Sequence, residues 1–524
     1  MSDRRVKRIA AFAALLTLSG CLVGPDYQRP PPATVPTPEY KETADARFRP
    51  AMPRDTIDRG PWWTIYGDGT LDQLAAQVDV SNQNLKSLEA AYRQAVALVR
   101  QTQSGLYPTI GYTSAVNQNS SSGSRSTTGL QTAAAGNSVG QYAFGGSLTW
   151  ELDLWGRIRR SIESNVASAQ ASAGDLAAAR LSAQSSLTTN YFSLRVSDQR
   201  RRLFEESTAA YARSMQIVQN QVNAGIASRV DLTQAQTLYE QTRAQLVAEG
   251  INRAQFEHAI AALIGRTPGE VSVAPLPPPQ SVPTVDAGIP SVLLERRPDI
   301  ASAERQMQAA NAQIGVAQAA YYPDITLNAS INFVSTILSQ LFQIASAVWS
   351  VGPQVAGTVV DGGARAAQVD SARASYDQAV ATYRQTVLTA FQQVEDALAQ
   401  QRILIQQEEV QRSAVASARE AERLALNQYR AGTVPYTTVI QTQTAALSAE
   451  QTLLNVRLAR LTASANLIAA LGGGWEDTRM PPQVYIPGLK QTPTPPATQP
   501  TGYPPAAPMA ASAPAKTKRW WWPF

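Results

Sequence analysis

Two stretches of this 524-residue chain repeat one pattern of apolar, acidic and proline positions at a fixed separation. When "LKSLEAAYRQAVALVRQTQSGLYPTIGY" (85–112) is laid on "IASAERQMQAANAQIGVAQAAYYPDITL" (300–327), Leu85 falls on Ile300, Glu89 on Glu304 and Val99 on Ile314. Pro108 then falls on Pro323 and Ile110 on Ile325, a constant offset of 215 residues. Farther along the offset is 207: Gly156 falls on Gly363, Leu187 on Val394, and "NAGIASRVDLTQAQ" (223–236) on "RAGTVPYTTVIQTQ" (430–443). Two ungapped registers over nearly the whole chain mean one architecture used twice in tandem. The change of offset places an eight-residue excess in the first copy, between positions 112 and 156. That interval holds "QNSSSGSRSTTGLQTAAAGNSVG", rich in Ser, Gly and Thr and without a period, the composition of a long exposed loop.

Around these loops the hydrophobic period is two. In "QYAFGGSLTWELDL" (141–154), Tyr142, Phe144, Leu148, Trp150, Leu152 and Leu154 alternate with mostly polar residues. In the second copy Ile325, Leu327, Ala329, Ile331 and Phe333 alternate with Thr326, Asn328, Ser330 and Asn332, and Trp349, Val351, Val355 and Val359 form a fourth run. Runs of about ten residues with aromatics on the apolar side are the signature of transmembrane β-strands. A soluble sandwich would need more strands, spread along the chain. Four strands cannot close a barrel, and an open edge in hydrocarbon leaves N–H and C=O groups without partners. Several copies must therefore pool their hairpins.

The remainder reads as helix. No proline occurs between Pro108 and Pro268 or between Pro353 and Pro435. Residues 157–222 can run as one helix of about 100 Å. Ile162, Val166, Ala169, Ala173, Leu176, Ala183, Leu187 and Leu194 trace a thin coiled-coil seam along it, interrupted at Arg180 and Asn190. Gly225 and Gly432 stand where each long helix would stop and reverse. Each copy predicts a helix of about 30 residues, a β-hairpin, a helix of about 65, a glycine turn and a helix of about 35. The two shorter helices together match the long one and could stack end to end beside it.

The only cysteine, Cys21, follows a basic start, the apolar run "IAAFAALLTL" and Ser19-Gly20. That is the anatomy of a secretory signal peptide, too short to remain as a membrane-spanning helix. Leu18-Ser19-Gly20-Cys21 resembles the cleavage site of bacterial lipoproteins, where the thiol takes S-diacylglycerol and the freed amine takes an N-palmitoyl chain. Three acyl chains, at about 0.8 kcal/mol per buried CH₂, hold firmly. Leu22 follows rather than Asp, so the usual inner-membrane retention signal is absent, and an outer-membrane location facing the periplasm is expected. One cysteine excludes an intrachain disulfide and a Cys-based metal cluster. His258, the only histidine, lies in a helical pattern without carboxylate or cysteine partners in a catalytic or ligand spacing. A net charge of +5 with no polybasic face argues against nucleic acid. The chain reads as a non-enzyme without cofactor or metal.

The stretches "CLVGPDYQRP" (21–30), "PWWTIYGDGTLDQL" (61–74), "LLERRPDIASAERQMQAANAQIGVAQAAYYPDITL" (293–327) and "VVDGGARAAQVDSARASYDQAVATYRQTVLTAFQQVEDALA" (359–399) resemble the TolC-like outer-membrane factors, in the lipoprotein branch serving RND-type efflux. The resemblance covers about residues 18–475. It implies an α+β membrane protein: a homotrimer whose long helices form a periplasmic α-barrel and whose four β-strands per chain contribute to a shared twelve-stranded outer-membrane β-barrel. It also implies a periplasmic adaptor and an inner-membrane RND-type transporter as partners, with the channel itself passive. The lipid-facing strand residues would then be Tyr142, Phe144, Trp150, Ile331, Phe333 and Trp349.

In such proteins the periplasmic turns form a constricted gate and the adaptor's docking surface. By motif these carry Gly225, Arg229, Asp231, Gly432, Tyr436 and Gln441. Gln441 stands where family members commonly carry an acid, so closure is expected to rely on Asp231, Arg229 and the Tyr436 ring rather than on a second carboxylate ring. A capping role alone for Asp231 is the plainer alternative. The expected divisions are a signal peptide (1–20), a lipid-anchored extended segment (21–70), a first repeat (71–265), a proline-rich linker (266–292), a second repeat (293–475) and a proline-rich tail (476–524). The tail is expected to be disordered. It ends "KTKRWWWPF", whose cations and tryptophans suit a headgroup surface or the cell wall. Two other functions fit less of the chain. A type I protein-secretion outlet shares the channel plan but not the lipidated start; a lipid-anchored periplasmic scaffold or adaptor would lack amphipathic membrane strands.

Overall fold

A computed structural model describes residues 22–29, 41, 61–120, 138–279, 282–283 and 297–473. Cys21, the expected signal peptide (1–20) and the residues from 474 onward lie outside the described residues. The elements are α1 (Gly69–Ser81), α2 (Gln83–Gln103), β1 (Thr109–Ser120), β2 (Ser138–Glu151), α3 (Arg157–Asn223), α4 (Arg229–Leu263), α5 (Pro298–Ala319), β3 (Asp324–Ser335), β4 (Ala347–Ala356), α6 (Ala364–Arg430) and α7 (Tyr436–Ala470). The order strand, strand, 67-residue helix, 35-residue helix occurs twice. Each 67-residue helix is about 100 Å long at 1.5 Å per residue.

The first helix of copy one is broken. Asn82 takes an extended conformation (ψ 122°), and its side chain accepts from the amides of Asn84 and Leu85, capping α2. The break is fixed from outside: Asn82 Nδ2 donates to Leu263 O at 2.7 Å and Ser81 Oγ to Ile264 O at 2.5 Å, clasping the end of α4. Beside this joint, Trp62, Trp63 and Tyr66 bury with Leu71, Val78, Tyr191, Phe192 and Ile260 in the largest apolar cluster.

Helix α3 packs against α4 along its far half and against α2 and α5 along its near half, so the shorter helices do line up beside the long one. Helix α6 is flanked in the same way by α7 and α5. Gly174 on α3 lets α5 approach closely, since a Cβ there would lie 3.0 Å from Pro298 O and from Ser302 Cβ, and Gln313 Nε2 donates to Ser164 Oγ at 2.8 Å across the contact. Among the described residues no helix is long and apolar enough to cross a membrane.

The four strands form one antiparallel sheet in the order β1-β2-β3-β4. Strand β2 stops at Glu151 and β4 at Ala356, so Leu152, Leu154 and Val359 fall outside the strands to which their alternation assigned them. The cause at β2 is Asp153, whose carboxylate accepts from the Ile158 and Arg159 amides and turns the chain into α3. The outer edges of β1 and β4 pair with nothing in the sheet.

Candidate functional site

Directly opposed residues of antiparallel strands share a face, so the register sorts the sheet. Tyr142 opposes Val116 and Ser335; Phe144 opposes Phe333; Leu148 opposes Ile110 and Ala329; Trp150 opposes Leu327; Ile331 opposes Trp349; Ala329 opposes Val351. One face is thus an apolar band over all four strands, holding Tyr142, Phe144, Trp150, Ile331, Phe333 and Trp349 together. Trp349 is 71% exposed there. The opposite face carries Thr113, Gln141, Ser147, Thr149, Thr326, Asn328, Ser330, Asn332, Ser350 and Gln354. Its side chains bond to one another: Asn328 Nδ2 donates to Gln354 Oε1 at 2.9 Å, and the Ser330 and Ser350 hydroxyls meet at 2.9 Å. Formal charge on this face, Glu151 and Asp324, lies at the end nearest the helices. At that end aromatic residues collect: Trp150 Nε1 donates to Leu106 O, Trp155 Nε1 donates to Pro323 O, and Trp155 stacks on Tyr322 at 4.7 Å.

Residues 22–29 form a strap across the helices just below this aromatic end. The Val23 amide donates to Trp155 O at 3.2 Å. Arg160, its side chain 1% exposed, donates to Val23 O (3.1 Å), Gly24 O (3.0 Å) and Asp26 Oδ1 (2.9 Å). Asn311 Nδ2 donates to Pro25 O, while Arg29 pairs with Glu304 at 3.2 Å. Gly24 has φ +100° and sits so close to α5 that a Cβ would lie 2.4 Å from Gly315 Cα. The strap therefore holds Leu22 against Gly156 at the joint between sheet and helices.

The far ends of the long helices close in matching turns. Gly225 and Gly432 both have positive φ (76° and 72°), and the amides of Ile226 and Thr433 reach back to Gln221 O and Gln428 O, the Schellman arrangement. Each glycine has open space where a Cβ would point, so conformation alone requires it. Asp231 forms a reciprocal capping box with Ser228: its Oδ2 accepts from the Ser228 amide at 3.1 Å, and Ser228 Oγ accepts from the Asp231 amide at 3.1 Å. Arg229 and Gln441 are exposed. Tyr436 is not: its ring is 2% exposed, 5.0 Å from Tyr429 and packed on Val218, Ala235 and Val439. Burial pushes its hydroxyl up to about 12, with Tyr429 and the Asp231 carboxylate adding to the shift. Within one chain the Tyr436 ring is thus part of the packed core of the tip. Gln443, two residues beyond Gln441, is buried and donates to Ser214 Oγ at 3.3 Å.

A charged knot joins α6 to α7 without any local sequence signal. Glu408, 3% exposed, accepts from Arg412, Arg457 (3.2 Å) and Arg460. Burial works against its charge, yet the hydrogen bonds from Arg460 and Arg412 outweigh it and hold the carboxyl below the usual Glu range. Residues from α6 and α7 meet here, so a helical pattern in either segment alone shows only ordinary surface charges. The strap's landing site was equally hidden, because Arg160 lies far from residues 22–29 in the chain.

The outer membrane efflux protein family model matches residues 74–266 and 289–473. The cation efflux system protein CusC of Escherichia coli O6:H1 is 29% identical over 477 residues, 90% of this chain and 99% of that protein. A probable outer membrane lipoprotein, SilC of Salmonella typhimurium, is 28% identical over 480 residues, 89% of this chain and 99% of its own. Among solved structures, the outer-membrane channel OprN superimposes with a TM-score of 0.78 at 28% identity, covering 87% of this chain and all of that one.

Proposed function

The chain belongs to the outer membrane efflux protein family, and from that footing we propose that three copies assemble into the passive outer-membrane conduit of a tripartite efflux system. Each copy supplies four strands to a twelve-stranded barrel, and the helices continue the bore into the periplasm. A periplasmic adaptor and an inner-membrane RND-type transporter complete the path and supply its energy. The cargo is small molecules.

One observation carries this reading. The sheet is apolar on one face, the other carries mostly amides and hydroxyls with Ala115, Ala143, Val334 and Val348 towards the end remote from the helices, and both its edges are open. Such a sheet is stable in a bilayer only with its apolar face to lipid, its polar face to water and its edges paired to further copies. Strands of 10 to 14 residues suit the roughly 25 Å apolar band of outer-membrane barrels when tilted. The strap supports lipidation at Cys21, because it fixes Leu22 at the aromatic end of the sheet, where an acyl anchor reaches the inner leaflet. At the tip, the side chains of Arg229 and Gln441 are exposed and available to the bore and to the adaptor, along with Ile226, Val230 and Arg430. Asp231 holds the turn in shape through its capping box, and Tyr436 braces it from within. The type I secretion outlet shares this geometry but has no observation favouring it.

The purified lipidated chain, added to planar bilayers, is expected to give stepwise ion conductance. A preparation that inserts into the bilayer but shows not even a low resting conductance would overturn the proposal.

A further inference from the structure

The connection between β3 and β4, residues 336–346, differs from the other hairpin's. Residues 121–137 are rich in Ser, Gly and Thr and include Arg125, whereas "TILSQLFQIAS" (336–346) has no charged residue. It also does not project away from the sheet. Phe342 packs edge-on against Phe144 at 5.6 Å and lies 5.7 Å from Phe333. Both phenylalanines belong to the apolar band, so the loop folds back over that side. Leu341 is buried beneath it, while Ile337, Leu338, Phe342 (67% exposed) and Ile344 (93% exposed) point outward.

Part of the loop's backbone bonds within the loop itself. The amides of Gln340, Leu341, Gln343 and Ser346 donate to Ile337 O, Leu338 O, Gln340 O and Gln343 O, and Ser346 Oγ donates to Gln340 O. An exterior loop that relies on water does not need this closure. A segment entering the edge of hydrocarbon does, because an unpaired backbone group there costs several kcal/mol.

We propose that residues 336–346 form a lipid-inserted collar: the loop lies on the outside of the barrel at the end remote from the helices and takes the upper acyl chains of the outer leaflet as its partner. Continuity with the apolar band sets its side, and without Lys or Arg the loop offers phosphate headgroups no ion pair. The inference rests on the membrane orientation given above.

The test uses the full lipidated chain carrying Ile344→Cys, labelled with a polarity-sensitive fluorophore and reconstituted in phosphatidylcholine vesicles. The quenchers are phosphatidylcholine spin-labelled near the top of its acyl chain and, separately, aqueous iodide. Val351→Cys on the apolar band and Ser126→Cys in the polar loop serve as references, and the wild-type chain is the labelling blank. The collar predicts that the label at 344 is quenched by the spin-labelled lipid as strongly as that at 351 and is shielded from iodide, unlike that at 126. Lipid quenching at 351 with iodide quenching at 344 overturns the collar alone. Quenching at 344 by neither agent means burial against protein, a neighbouring copy included, and also overturns it. Absence of lipid quenching at 351 overturns the membrane orientation itself.

Discussion

Gly24→Ala probes the joint where strap, sheet and helices meet. Alanine at φ +100° carries backbone strain of about 1–3 kcal/mol. Its Cβ would in addition lie 2.4 Å from Gly315 Cα, a buried helix backbone with no room to retreat. The strap must lift. In doing so it gives up the Arg160 bonds to Val23 O, Gly24 O and Asp26, each worth about 1.5–3 kcal/mol as a bond to a charged group. The freed carbonyls regain water, so the net effect on the strap is set by strain and clash, about 3 kcal/mol. That is roughly a 100-fold rise in the open population, at about 1.4 kcal/mol per factor of ten. Hydrogen exchange read by mass spectrometry on the full chain in detergent reports this directly, since the Val23 amide is bonded to Trp155 O. Protection of residues 22–29 should fall by about that factor, while the core of α3 around Tyr191–Val196 keeps its own. Gly69→Ala, at a position with open space, is the control. Protection unchanged in Gly24→Ala would refute the claim that close backbone contact seats the strap.

With the proposed gate at the tip turns, Gln441→Ala should leave resting conductance in planar bilayers as low as wild type, because an exposed neutral amide adds no charge there; a leaky channel would contradict this. Ser228→Ala removes one half of the capping box and should cost about 1 kcal/mol locally, seen as faster exchange in the first turn of α4. Glu408→Gln removes the charged acceptor from three arginines that stay partly solvated (57%, 43% and 21% exposed) and should destabilise the chain by about 1.5 kcal/mol in denaturant titration, the value of one hydrogen bond to a charged group. Because the Glu408 carboxyl titrates lower folded than unfolded, its contribution is complete above the ordinary Glu value of about 4.3 and is lost as pH falls through the depressed one. The variant's stability should accordingly fall less steeply on acidification below that value.

Local periodicity carried much of the fold. The 67-residue helices lack proline and glycine breaks for most of their length, and the alternation at Tyr142–Trp150 and Ile325–Phe333 can be read without knowing any contact. What periodicity could not show was decided by distant partners. The break at Asn82 depends on carbonyls of Leu263 and Ile264, and the end of β2 depends on Asp153 capping α3. Tyr436 illustrates the same limit at the tip. Its position next to a turn suggests exposure, yet Tyr429 and Val218, from other helices, enclose it. The β3–β4 loop was legible only as apolar composition, since its fold onto Phe144 and Phe333 is tertiary.

Everything in the functional reading requires the unpaired edges of β1 and β4 to be closed by other copies of the chain. Native mass spectrometry of the detergent-extracted, lipidated protein measures this most directly. A single species with the mass of three lipidated chains is the expected result; a stable particle of one chain, folded and soluble in the same detergent, would contradict the account.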